Sequence, residues 1–144
     1  MTRALFLVGV TLASLGFAYR ASQPAPAREP YRVAFDLTSR DTLDQKAVLR
    51  WIQEVGTASP DAEMEVVMYG KGFELVMPER SAFAGQVRTA MQNPRVAFKV
   101  CEIAMKNNKI EKRQLLPGVQ TVPDGIHELV AKQQEHWGYI KVAH

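Results

Sequence analysis

The sequence holds a single cysteine, Cys101, and no other side chain in it offers as clear a route to covalent chemistry. A lone cysteine forms no disulfide within its own chain. Its options are a reactive thiol, a bridge to another chain, or a small buried hydrophobe. Cys101 follows the β-rich run 96–100 and precedes a stretch, 102–107, that reads as a short helix. A thiol at a strand-to-helix junction meets the positive end of a helix dipole and unpaired N–H groups, which favour the thiolate. The thiolate is the form that attacks a disulfide or polysulfide sulfur. Glu102, the next residue, opposes that ionisation with its own charge. With no Cys-x-x-Cys pair, dithiol exchange within one chain is excluded, but carriage of sulfur as a persulfide is not.

Other reactive types offer less. His127, His136 and His144 follow no metal-ligand spacing, and one cysteine cannot furnish a structural zinc site, so no metal is expected. Gly70-Lys71-Gly72 lacks the full phosphate-loop pattern and reads as a turn, and no cofactor is expected. No serine stands in a nucleophile signature. Trp51 and Trp137 read as core or subunit contact.

The elements that must position Cys101 follow from periodicity. Residues 31–37 open the domain as a β-rich run. Thr42-x-x-Gln45 is a capping box that starts a helix, with Val48, Ile52 and Val55 as its apolar stripe and Trp51 beside them. Gly56 and Pro60 end it. Residues 64–69 read as an apolar strand of the kind buried on both faces in a parallel sheet. After the glycine turn, 73–77 reads as extended. A second helix then places Phe83, Val87, Ala90 and Met91 on one side and stops at Asn93-Pro94. Residues 119–122 form a further strand. Pro123-Asp124-Gly125 opens a last helix with Ile126, Leu129, Val130 and Gln133 on one side, closed by Gly138, and 139–142 is the final strand. Strands alternating with helices predict βαβ crossovers: an α/β fold, a three-layer α/β/α sandwich around a mainly parallel sheet. In such sheets ligands collect beyond the carboxyl ends of the strands, where Cys101 stands.

Residues 1–27 have the three parts of a secretory signal peptide. Arg3 supplies the positive start, 4–18 is an uncharged and largely apolar run, and Ala25-Pro26-Ala27 matches a signal-peptidase site, with Gly16-Phe17-Ala18 as a second possibility. The apolar run is short of the ~20 residues that span a bilayer. Export to the periplasm or beyond is therefore expected, leaving one domain, 28–144, with no membrane attachment once the leader is cleaved. Without Arg3 and Arg20, sixteen of the eighteen basic residues remain against fifteen acidic ones, a net charge of +1. Nothing in that balance attracts nucleic acid.

From residue 96 onward the sequence resembles the DsrE/DsrF-like family. The resemblance rests on Val96-Ala97-Phe98-Lys99-Val100-Cys101-Glu102-Ile103-Ala104-Met105, on Val122-Pro123-Asp124-Gly125-Ile126-His127-Glu128-Leu129-Val130, on Lys132-Gln133-Gln134 and on Trp137-Gly138-Tyr139-Ile140. The earlier half agrees in layout. The resemblance implies a DsrE-like three-layer fold and assembly into a homo-oligomer, a trimer or hexamer. It also implies a cysteine, here Cys101, that carries or relays sulfur in sulfur oxidation or RNA thiolation. The sulfur-relay members are cytoplasmic, whereas this chain opens with an export signal.

Three functions follow as expectations. In the first, Cys101 is the catalytic residue of an exported sulfur-handling protein, accepting or relaying sulfur as a persulfide from a donor or to an acceptor protein. In the second, a non-catalytic oligomeric module binds a small ligand or partner and Cys101 is structural. In the third, Cys101 forms an intersubunit disulfide as a redox sensor.

Overall fold

Three six-residue runs form the centre of the sheet: β1 (Arg32–Leu37), β2 (Glu63–Met68) and β3 (Val96–Cys101). The short β4 (Gln120–Val122) and β5 (Gly138–Val142) complete it, in the order β4-β3-β2-β1-β5. The computed structural model describes residues 30–143, so the expected leader, 1–27, and His144 lie outside the described residues. Every pairing is parallel, with Phe35 opposite Val66 and Val66 opposite Phe98. Parallel neighbours need crossovers, and crossovers are right-handed. Stepping from β1 to β4 in one direction therefore puts α1 (Thr42–Ala58), α2 (Ala84–Ala90) and α3 (Glu102–Asn107) on one face. The jump back from β4 to β5 puts α4 (Gly125–Gln134) on the other.

The core divides the same way. Val33, Phe35, Leu37, Met64, Val66 and Phe98 belong to a large buried cluster with Val48, Ile52, Val87 and Ala104 from the three helices. Trp51 packs against it, its ring stacked 6.3 Å from Phe35. The opposite face has a small cluster, Ala34, Val67 and Leu129, with Tyr69 and Trp137 packed against it. The chain thus forms the expected α/β/α sandwich, with unequal layers. Among the described residues no helix is long and apolar enough to cross a membrane.

The local departures from the sequence reading have physical reasons. Asp41, one residue earlier than expected, caps α1: its carboxylate accepts from the Leu43 N–H at 2.7 Å. The helix runs past Gly56 to Ala58. Residues expected to be extended form a 3-10 turn, Gly72–Val76, whose Phe73, Leu75 and Val76 are buried. That turn lies directly on β1, and a Cβ at Gly72 would overlap the Leu37 carbonyl. Ile126 and Val130 do not share the packed side of α4 with Leu129. They are exposed, because the single helix on this face meets the sheet along a narrow line.

Helix α4 also stops at Gln134, before the expected Gly138. His136 turns into the left-handed region at φ 64°. Its N–H bonds to Gln133 O and that of Trp137 to Lys132 O, each at 3.0 Å, which is a Schellman ending. Helix α3 ends the same way, with Lys109 at φ 55° and Ile110 N–H on Met105 O. Glycine is the residue that takes this conformation without a Cβ penalty. Lys109→Gly and His136→Gly are each expected to stabilise the fold by about 1 kcal/mol, additively, in denaturant unfolding. A loss at either position would mean that the native side chain holds its turn through contacts of its own.

Candidate functional site

Cys101 is the last residue of β3, opposite Val122 of β4, and occupies the cap position of α3. It is buried, with 5% of its surface exposed. Helix α4 begins directly above it: a Cβ on Gly125 would stand 3.2 Å from Cys101 Cβ and 3.4 Å from Tyr69 Cδ1. Glycine at the first turn of α4 lets the two helix starts and the aromatic ring converge. Asp124 caps that turn, its Oδ1 accepting from Ile126 N–H at 2.8 Å.

These residues border a pocket of about 260 Å³ at the carboxyl edge of the sheet, lined by Cys101, Tyr69, Asp124, Asn108, Ile103 and Ile126 among others. That is below the ~300 Å³ at which pockets take drug-sized ligands. It suits a sulfur atom carried on Sγ or a compound of a few atoms. Gly70, the first residue of the Gly70-Lys71-Gly72 turn, also lines it. Lys71 N–H bonds to Thr38 O at 2.9 Å, and its Nζ donates to Asn108 Oδ1 at 2.6 Å.

Tyr69 is fixed from behind. Its hydroxyl donates to the buried Asp36 carboxylate at 3.2 Å, and Tyr139 donates to the same oxygen at 2.7 Å. Lys141 Nζ bonds the other Asp36 oxygen at 3.1 Å and Thr38 Oγ1 at 3.0 Å, and stands 5.6 Å over the Tyr69 ring. The hydrogen bond to Asp36, then burial, pushes Tyr139 up to about 12. Burial, then the Asp36 carboxylate and its hydrogen bond, raise Tyr69 as well. Both phenols therefore stay protonated at neutral pH and act as donors to Asp36.

Further along the same face, two carboxylates share one ammonium. Lys99 Nζ lies 2.7 Å from both Glu65 Oε2 and Glu128 Oε1. Burial pushes Glu65 up to about 7 against the pull of Lys99. Burial also opposes the charge on Glu128, but the Lys99 and Glu65 hydrogen bonds hold it below its ordinary value.

The remaining sequence candidates stay apart from the pocket. His127 and His136 are exposed at opposite ends of α4, and His144 is outside the described residues. Among the described residues no three His, Cys, Asp or Glu side chains are grouped to hold a metal ion. Trp51 belongs to the large core and Trp137 to the opposite face. Glu102, expected to press on the thiol, accepts instead from Thr121 Oγ1 of β4 at 2.8 Å. Sequence reasoning missed Tyr69, Asp36, Tyr139 and Lys141 as neighbours of the site.

Comparison with known proteins agrees with this architecture. The family model described as DsrE/DsrF-like matches residues 24–142. Among solved structures, the chain is similar to MTH1491 from Methanobacterium thermoautotrophicum, titled a protein of unknown function. The TM-score is 0.72 at 25% identity, over 77% of this chain and 98% of that one. It is also similar in fold to BT1422 from Bacteroides thetaiotaomicron, a conserved protein of unknown function. There the TM-score is 0.60 at 11% identity, over 77% and 94% of the two chains. No curated protein matches. The all-parallel order, the strand–Cys101–helix junction and the match across nearly all of the described residues have one reading: this chain belongs to the DsrE/DsrF-like family.

Proposed function

We propose that this chain is an exported sulfur-handling protein in which Cys101 accepts and passes on sulfur as a persulfide. The observation that carries this reading is the position of Cys101 on a small pocket at the carboxyl edge of a DsrE/DsrF-like sheet. In loading, the Cys101 thiolate attacks the outer sulfur of a donor persulfide. The new bond joins it to Sγ while the donor's S–S bond breaks, and the electron pair leaves on the donor's inner sulfur, which takes up a proton. Unloading is the same exchange with an acceptor thiol as the attacking group. No oxidant is consumed in either direction.

A homo-oligomer, trimer or hexamer, is part of the proposal. Its support is the thinly covered face of the sheet, where Ile126, Val130 and Tyr139 are 58%, 47% and 42% exposed. Ile126 also lines the Cys101 pocket, so a subunit seated there would border the site. Export with cleavage after Ala27 completes the reading. The mature protein then begins at Arg28, and light scattering gives three or six times its mass.

The burial of Cys101 favours one alternative, a non-catalytic oligomeric binding module with a structural cysteine. Mass spectrometry after incubation with glutathione persulfide separates the two. Wild type should gain a sulfur atom that Cys101→Ser does not, with both proteins folded and of equal oligomer size. Normal loading of the serine variant, or a wild-type thiol that reacts only after denaturation, leaves the structural reading.

A further inference from the structure

The amino-terminal end of the sheet carries a second and larger cleft, about 430 Å³, on the α4 face. It is lined by Glu65, Ala97, Trp137, Glu63 and Arg95 among others. Two of its lining residues hold buried polar atoms, Glu65 Oε1 and Trp137 Nε1, that find no hydrogen-bond partner among the described residues. Unpaired buried polar atoms are uncommon because each forfeits its hydration. Here one is an acceptor, one is a donor, and both belong to one cleft. Glu65 is only 3% exposed, so the unpaired oxygen is part of a built interior and not of a loose surface side chain.

The charge count specifies what is missing. Glu65 and Glu128 share the single ammonium of Lys99, which leaves the trio one negative charge in excess when both carboxylates are ionised. Lys132, on α4, bonds Glu135 at 3.1 Å and lies 4.8 Å over the Trp137 ring, and it reaches the trio only as a nearby charge on Glu128. Arg32 begins β1 on this face, Ala34 opposite Glu65 is uncharged, and Glu63 and Arg95 bring opposite charges to the cleft lining.

We propose that this cleft binds a small primary ammonium compound, its N–H donating to Glu65 Oε1 and a carbonyl or hydroxyl oxygen on it accepting from Trp137 Nε1. The cation supplies the charge the trio lacks and takes the place of the proton that Glu65 otherwise holds up to about 7. Affinity therefore rises as pH increases through that value. The site is independent of Cys101, at the opposite end of the strands.

The test is an NMR titration of the full chain with β-alaninamide, which has an ammonium and an amide carbonyl, against hydroxypropanamide, its neutral hydroxyl analogue. The Trp137 indole N–H signal, assigned by its loss in Trp137→Phe, should shift with the ammonium compound. The neutral analogue should bind about tenfold more weakly or worse, as expected for one lost charge-assisted hydrogen bond. Glu65→Gln should erase that preference. Should this variant unfold, Trp137→Phe measured by calorimetry is expected to bind several-fold more weakly than wild type. Equal binding of the two compounds, or no indole shift at millimolar concentration, overturns the assignment. So does an indole shift that follows protein concentration alone, since a second copy would then be filling the cleft.

Discussion

Lys99→Met is expected to lose about 3 kcal/mol at mildly alkaline pH, among the largest effects of any single change outside the main core. Methionine keeps most of the volume, so the loss is electrostatic: it strands Glu65 and Glu128 beside each other without their ammonium. The pH dependence identifies the cause. In the wild type Glu65 keeps its proton up to about 7 instead of 4.5, so the folded state binds more protons than the unfolded one across that window. Stability conferred by that proton is present at low pH and declines as pH rises through the window. Lys99 holds the Glu65 value down, so its removal carries the decline to higher pH. The gap between variant and wild type should be small near about pH 5 and widest near about pH 8 in urea unfolding. A gap that is equal at both would show that Lys99 contributes packing alone.

Gly72→Ala is expected to cost about 3 kcal/mol or more. The atom a new Cβ would meet is the Leu37 carbonyl oxygen, part of the backbone of a buried strand, so no side chain can turn aside. Relief requires the 3-10 turn to lift off β1. That turn carries Phe73, Leu75 and Val76 into the core, and its preceding residues border the Cys101 pocket. Cys101 should consequently alkylate faster in the variant than in the wild type. By contrast, Gly85→Ala, where a Cβ meets nothing within 4 Å, should be neutral or mildly stabilising. A Gly72→Ala protein as stable as wild type would contradict the backbone contact.

The parts of this fold that are legible in the sequence are those encoded locally. The runs around Phe35, Val66 and Phe98 are largely apolar on both faces, which a covered parallel sheet accommodates, and the junction after Val100 places Cys101 at a strand end without any tertiary information. The lining of the two clefts is not local. Asp36 meets Tyr69 across 33 residues and Lys141 across 105, while Lys99 meets Glu128 across 29. A signal was nonetheless present: Asp36, Glu65 and Lys99 each interrupt an otherwise apolar strand. An ionisable residue in such a run is seldom fully buried unless it is paired. The burial of Phe73 to Val76 in a turn had no comparable signal, since extended and 3-10 segments bury apolar runs equally well. Nor did the exposure of Ile126 and Val130, which depends on how few elements share the α4 face.

The strand order also imposes a schedule on the growing chain. β1 can pair with β2, and β2 with β3, as each emerges, but the second edge of β1 waits for β5, made last. Contacts so far apart in sequence form slowly, because a long loop must close before they contribute. Until they form, β1 presents an unpaired apolar edge to any passing strand, and Asp36 lacks Tyr139 and Lys141. A chain emerging from a ribosome thus remains unfinished, with a sticky edge, until β5 arrives.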